Sequence, residues 1–276
     1  MAPSRMPVAY IPHGGGPWPF VDVGMPKSEF DALAGYLRGL GQLPKSPPKA
    51  LLVVSAHWEE PVPTVMTAPR PPMLYDYSGF PLETYSITWP APGDPHLAAR
   101  VVGLLNAADI DSSTDAERGF DHGTFVPLML AYPDAQVPTT QLSLKQGLSV
   151  AEHLAIGRAL APLRDEGVFI IGSGMSYHNM RSFRLSMAGK EELAMHARAE
   201  ADAFDDWLRE AIAEEPGVRD RRLARWSKAP GGRTAHPREE HLMPLMVIAG
   251  AAQGDRGTIG YNGPIMGFKC TAAHFG

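Results

Sequence analysis

The sequence predicts an α/β fold: one three-layer domain over residues 1–276, with a central, mainly parallel or mixed sheet flanked by helices. Three observations carry this. Short, largely apolar runs at Val8–Ile11, Leu51–Val54 and Val168–Ile171 have the length and content of buried strands. Segments with apolar residues at helical spacing lie between them. Each run leads toward a histidine, and in open α/β sheets the rim at the strands' carboxyl ends is where ligands sit. A length of 276 residues without internal repeats suits one large domain.

In chain order, residues 7–11 read as a strand that enters His13-Gly14-Gly15-Gly16-Pro17, where the glycines let backbone approach a ligand closely. Ser28 is the expected cap of a helix with Phe30, Leu33, Leu37 and Leu40 on one face, ended by Pro44 to Pro48. Residues 50–55 form the buried strand that delivers His57. Residues 61–90 read as strands and turns with an aromatic loop at Tyr75–Pro81. Asp94 and Pro95 open a helix carrying Leu97, Val101, Leu104 and Leu105.

Gly119–Thr124 is a turn around His122, and a helix begins at about Phe125. Residues 137–144 alternate as a strand, and Ser149 with Glu152 forms a capping box for a helix to about Ala161. The run at 168–171 exits through Gly172, Ser173 and Gly174 to His178. A long amphipathic helix follows over 190–214, then a basic, irregular stretch over 217–235. His236 to His241 open a last helix with Leu242, Leu245, Met246 and Ile248 on its buried side, and a short tail of Gly, Tyr and Phe closes the chain.

The formal net charge of −5, with no long basic run, argues against nucleic acid or an anionic membrane as partner. No apolar run approaches the roughly 20 residues of a membrane helix, and the first ten residues lack the core of a signal peptide. A single cysteine, Cys270, rules out an internal disulfide and a cysteine-based zinc site. The expected location is cytoplasmic, and the expected state a monomer or homodimer.

Of ten histidines, His13, His57 and His178 follow predicted buried strands, while His122 and His236 sit in loops marked by Gly or Pro. Neutral imidazole is the commonest metal ligand, and several with a carboxylate suit zinc or ferrous iron. A histidine beside glycines can simply cap backbone, but the strand exits favour ligand roles for His13 and His57. His122 reads as a general base with Asp121 as orienting partner. His178 reads as ligand or acid/base group. His236, held extended by Pro237, reads as a ligand, and Glu240, four residues on, shares its helical face. Glu239 reads as a solvated first-turn acid. His96, His153 and His196 fall on polar helix faces and read as surface residues; His241 and His274 are assigned no role. Trp18, Trp58, Tyr75, Tyr77 and Phe80 are candidates to line an aromatic pocket.

These motifs, with Ser55-Ala56-His57-Trp58-Glu59, Gly119-Phe120-Asp121-His122-Gly123, Gly172 to Asn179 and His236 to Leu245, resemble the class III extradiol ring-cleavage dioxygenases. That is the LigB-like superfamily, and the DOPA 4,5-dioxygenase branch within it is the most similar. The resemblance implies non-haem Fe(II) on His13 and His57, with His236 as third ligand, Glu240 its rival, and His178 a fourth ligand in zinc-bound forms. It further implies that His122 takes a phenolic proton from a catechol and that His178 donates one during O–O cleavage. Trp18, Tyr75 and Phe80 would pack the ring, and a ring-opened semialdehyde would leave. A zinc hydrolase, or a non-enzymatic binding relative of the same fold, are the alternatives.

Overall fold

The computed structural model describes residues 5–22 and 26–276. Its strands are β1 (Val8–Pro12), β2 (Ala50–Glu60), β3 (Thr64–Met66), β4 (Ser113–Asp115), β5 (Thr139–Lys145), β6 (Val168–Gly174), β7 (Gly257–Ile265) and β8 (Phe268–Phe275). They form a single mixed sheet in the order β4-β3-β5-β2-β6-β1-β8-β7. At its centre β5, β2, β6 and β1 are parallel, so their carboxyl ends share one rim. The helices are α1 (Lys27–Gly39), α2 (Pro95–Ala107), α3 (His122–Ala131), α4 (Val150–Leu160), α5 (Met180–Met187), α6 (Glu191–Ala213), α7 (Pro216–Leu223), α8 (Gly232–Ala235) and α9 (Met243–Ala252).

Alternation along β6 fixes the layers. Gly172 faces Pro244 and Ile248 of α9, and Ser173 on the opposite face donates to the Gly123 carbonyl of α3. On the α9 side lie α2 and α4; on the other lie α1 and α3, with α6 against β7 and β8. Helix α9 is buried on every side, which is why its sequence is apolar all round rather than on one stripe. Its crossing with α4 is backbone-close: a Cβ on Gly157 would stand 2.0 Å from the Val247 carbonyl oxygen, and one on Gly250 2.2 Å from that of Leu154. In an exposed helix Gly→Ala stabilises; here Gly157→Ala is expected to cost about 2–3 kcal/mol by overpacking. The check is a lower urea midpoint at unchanged slope; an unchanged midpoint would mean the helices can part without cost.

Several local expectations change. Helix α1 starts after Pro26 with no side-chain cap, so Ser28 lies inside it. Ser149 accepts from the Glu152 N–H, but the Glu152 carboxylate pairs with Lys145 instead of closing a capping box. Residues 217–235 are mostly helical, because Arg219 and Arg222 are engaged: Arg219 donates to the carbonyls of Ala249 and Asp255, and Arg222 pairs with Glu210 and Glu214. The closing segment is a β-hairpin whose β8 pairs antiparallel with β1. No helix among the described residues is long and apolar enough to cross a membrane.

Candidate metal centre and active site

Three chain segments bring imidazoles to the rim. Backbone continuity from β1 places His13, whose N–H donates to the Gly174 carbonyl at the end of β6 (3.1 Å). Gly14 follows at φ +81°, and the Trp18 indole donates to the His13 carbonyl at 2.6 Å, its ring filling the space a side chain on Gly14 would need. His57 lies in β2 where the pairing with β5 shifts register between Val54 and Glu59, a break of the kind that re-aims a side chain. The third ring is His241. Its carbonyl accepts from the Tyr10 hydroxyl (2.8 Å) and the Met175 N–H (3.1 Å), which ties the turn before α9 to β1 and to the loop after β6.

The Nε2 atoms of His13 and His57 are 3.2 Å apart, and those of His57 and His241 3.3 Å. The opposite nitrogens are committed, and the proton assignment follows from their partners. His13 Nδ1 donates to the Gly14 carbonyl at 2.7 Å, His241 Nδ1 to Glu240 Oε1 at 3.0 Å, and His57 Nδ1 faces Asp76 Oδ2 at 3.4 Å. Each Nε2 therefore presents a lone pair, and the lone pairs converge. Without a cation that arrangement is repulsive. With 2.0–2.1 Å metal–nitrogen arms the edge of a tetrahedron is about 3.3 Å, which both Nε2 separations match, as two edges of a divalent-metal site would. Burial first, then crowding by the other histidines, holds all three well below the usual imidazole pKa, so they are neutral at pH 7.

Two further imidazoles flank this trio. His122, at the start of α3, lies 4.0 Å from the His57 ring between centroids; His178 stacks on His241 at 3.5 Å. One carboxylate serves each side. Asp76 Oδ1 accepts from the His122 backbone N–H (2.9 Å) and faces its Nδ1 (2.8 Å), while Oδ2 faces His57. Glu240 Oε1 faces both His241 and His178, the latter at 3.3 Å. Burial opposes ionisation of both acids, but the hydrogen bonds from His122 and His178 outweigh it and leave each pKa below its ordinary value.

His236 does not join the cluster. Its Nε2 bonds to the Ser176 carbonyl at 2.9 Å, and its ring lies between Phe204 and Trp226. Pro237 and the turn after it separate His236 from α9, so the helical face it was expected to share with Glu240 does not exist, and His241 arrives at the rim instead. Glu240 stands behind His241 and His178 as their acceptor. Asp121 is likewise turned away from His122: it caps α3 and accepts from Ser55 (2.8 Å), Gln141 (2.5 Å) and Arg118 (2.9 Å). His153, expected at the surface, is fully buried between the Lys145 N–H and the Ser149 carbonyl.

The histidines open into a cavity of about 330 Å³. Phe80 and Tyr77 line it, and Tyr75 and Trp18 do not: the Tyr75 hydroxyl is tied to the Ile87 carbonyl, and Trp18 lies beneath the glycine loop. His178 lines it beside Met175, Met180, Phe183 and Met266.

The position of His236 has a pH consequence. Burial pulls its pKa down to about 3, whereas in an unfolded chain it titrates near 6.5. Between those values the unfolded state binds one proton more, so stability falls as pH falls from 6.5 toward 3. His236→Gln is expected to flatten that part of the stability curve by several kcal/mol, measured by denaturant unfolding at pH 7 and pH 4. An identical slope in the variant would show that His236 does not stay neutral on folding.

The family described as the catalytic LigB subunit of aromatic ring-opening dioxygenase matches residues 7–271. A 4,5-DOPA dioxygenase extradiol of Beta vulgaris is 43% identical over 206 residues, covering 74% of each chain. A protein of that same name from Escherichia coli (strain K12) is 34% identical over 260 residues, covering 92% of this chain and 88% of its own. A dioxygenase of Hapsidospora irregularis, tasH, is 34% identical over all of this chain and 88% of its own. The crystal structure of an uncharacterized protein from Escherichia coli K12 superposes with a TM-score of 0.76 at 30% identity, over 99% of this chain and 100% of that one.

Proposed function

Because this chain belongs to the LigB family of aromatic ring-opening dioxygenases and is an extradiol ring-cleaving dioxygenase, we propose that its substrate is a catechol, DOPA-like or other, opened with O2 beside the diol. We propose Fe(II) on His13, His57 and His241 as its metal. The observation that carries this is the convergence of three Nε2 lone pairs at 3.2 and 3.3 Å at the floor of an apolar cavity.

Bound there, Fe(II) would acidify both ring hydroxyls and pass charge from diol to dioxygen. The chain does the rest. A phenol titrates near 10, so it needs a base at neutral pH. His122 is that base: Asp76 holds its Nδ1, which leaves Nε2 to take a phenolic proton. His178 is the proton donor to oxygen, its Nδ1 on Glu240 and its outer edge toward the cavity. Phe80 and Tyr77 pack the ring, and the methionine and phenylalanine wall keeps water from the reacting atoms.

The test is anaerobic loading with Fe(II), then a catechol panel followed by oxygen electrode and by absorbance of the ring-opened semialdehyde. The expected result is one O2 consumed per product formed, with zinc-loaded protein inactive. Turnover that proceeds without O2, or equally with zinc, would replace this reading with a metal hydrolase.

A further inference from the structure

The cavity is chemically two-ended. Its floor is the histidine cluster, and its outer wall is Phe80, Met175, Met180, Phe183 and Met266. No lysine, arginine, aspartate or glutamate side chain among the described residues lines it. The remaining polar groups of the wall are uncharged: the Tyr77 hydroxyl already donates to the Thr84 carbonyl at 2.7 Å, and Gly14 to Gly16 offer backbone. Of the guanidiniums on the surrounding elements, Arg181 and Arg184 of α5 are exposed to solvent and outside the lining, and the other three are engaged. Arg118 is on Asp121, Arg238 on Glu59 and Glu240, and Arg198 on Ser186.

A catechol seated with its diol on the histidines directs its ring substituent at the sulfur and aromatic wall. A carboxylate or amino-acid substituent would be desolvated against that wall with no lysine or arginine in the lining to pair with it, which is expensive; an alkyl or aryl group would be buried to advantage. The volume of about 330 Å³ is at the small end of ligand sites, which admits one ring with a short substituent. We propose that this enzyme takes catechols whose ring substituent is uncharged and apolar, and discriminates against those bearing a carboxylate or an amino-acid side chain. This rests on the diol seating proposed above.

Anaerobic binding to the Fe(II)-loaded protein, read by tryptophan fluorescence, tests the preference without turnover. 4-Ethylcatechol is expected to bind at least about 100-fold more tightly than 3,4-dihydroxyphenylacetate or DOPA, the order of penalty for stranding a charge. Met180→Arg, at the half-exposed mouth, is expected to narrow the gap to 3,4-dihydroxyphenylacetate by about tenfold, as one charge-assisted hydrogen bond would. Equal or tighter binding of the acid or the amino acid to the unaltered protein would overturn the proposal, as would a gap that Met180→Arg leaves unmoved. If the preference holds but no catechol is opened in air, this inference stands and the reading of catechol cleavage falls.

Discussion

His241→Ala is expected to strip the protein of metal, while His236→Ala leaves it loaded. The two residues are five apart, and both precede the same buried helix, so a diffuse folding effect would strike both. The geometry separates them. His241 Nε2 stands 3.3 Å from His57 Nε2 with its other nitrogen fixed by Glu240, whereas His236 spends Nε2 on the Ser176 carbonyl between two aromatic rings. Loss of even an outer hydrogen-bonding partner of a ligand costs 10–100-fold in metal affinity, so loss of the ligand itself should exceed about 100-fold. His57→Ala should match His241→Ala, since it removes the ring that bridges the other two. Metal content after gel filtration, with O2 uptake on a catechol, reads the result. His236→Ala losing its metal while His241→Ala retains it would restore His236 as third ligand, the role the family resemblance implies.

That assignment shows where sequence reading stopped. The strand exits at His13 and His57 were visible because a buried parallel strand is a continuous apolar run, and the rim beyond it is fixed by the fold. The turn from His236 to His241 has no such period. Which histidine reaches the rim there depends on Tyr10 and Met175 holding the His241 carbonyl, and both lie far away in the chain. A signal did exist: His241 directly follows an acid and directly precedes an unbroken apolar helix, where an unpartnered polar ring would be costly. Asp76 was hidden for the same reason as His241. It sits in a loop of tyrosines, and only the docking of that loop on α3 brings its carboxylate to both His122 and His57. Trp18 and Tyr75 were over-read because an aromatic in a loop advertises area, not direction; their polar tips decide where they point. The final hairpin was missed because β7 is mostly exposed, so it lacks the apolar run that marks the central strands.

The paired carboxylates also set the second large effect. His122→Gln is expected to keep its metal and lose about 10²–10⁴ in kcat, the usual contribution of a positioned general base. The ring lies beside the trio without entering it: Nδ1 is on Asp76 at 2.8 Å, and the backbone N–H is on the same oxygen, so the imidazole is held at two points. Glutamine preserves the size and a polar tip but cannot accept a proton. Asp76→Asn should cost less alone, because it loosens His122 and His57 without removing either. Combined with His122→Gln it should add little to the rate loss, since the two act as one unit. KM for the catechol should move far less than kcat, because the proposed proton transfer would act on the transition state while Phe80 and the cavity wall would still pack the ring. Metal analysis makes the result decisive. His13, His57 and His122 offer nitrogens within 4.8 Å of one another, so an ion seated on those three would leave with His122. A His122→Gln protein that emerges metal-free would exchange the roles of His122 and His241, and a metal-loaded one with full kcat would leave the phenolic proton to another base.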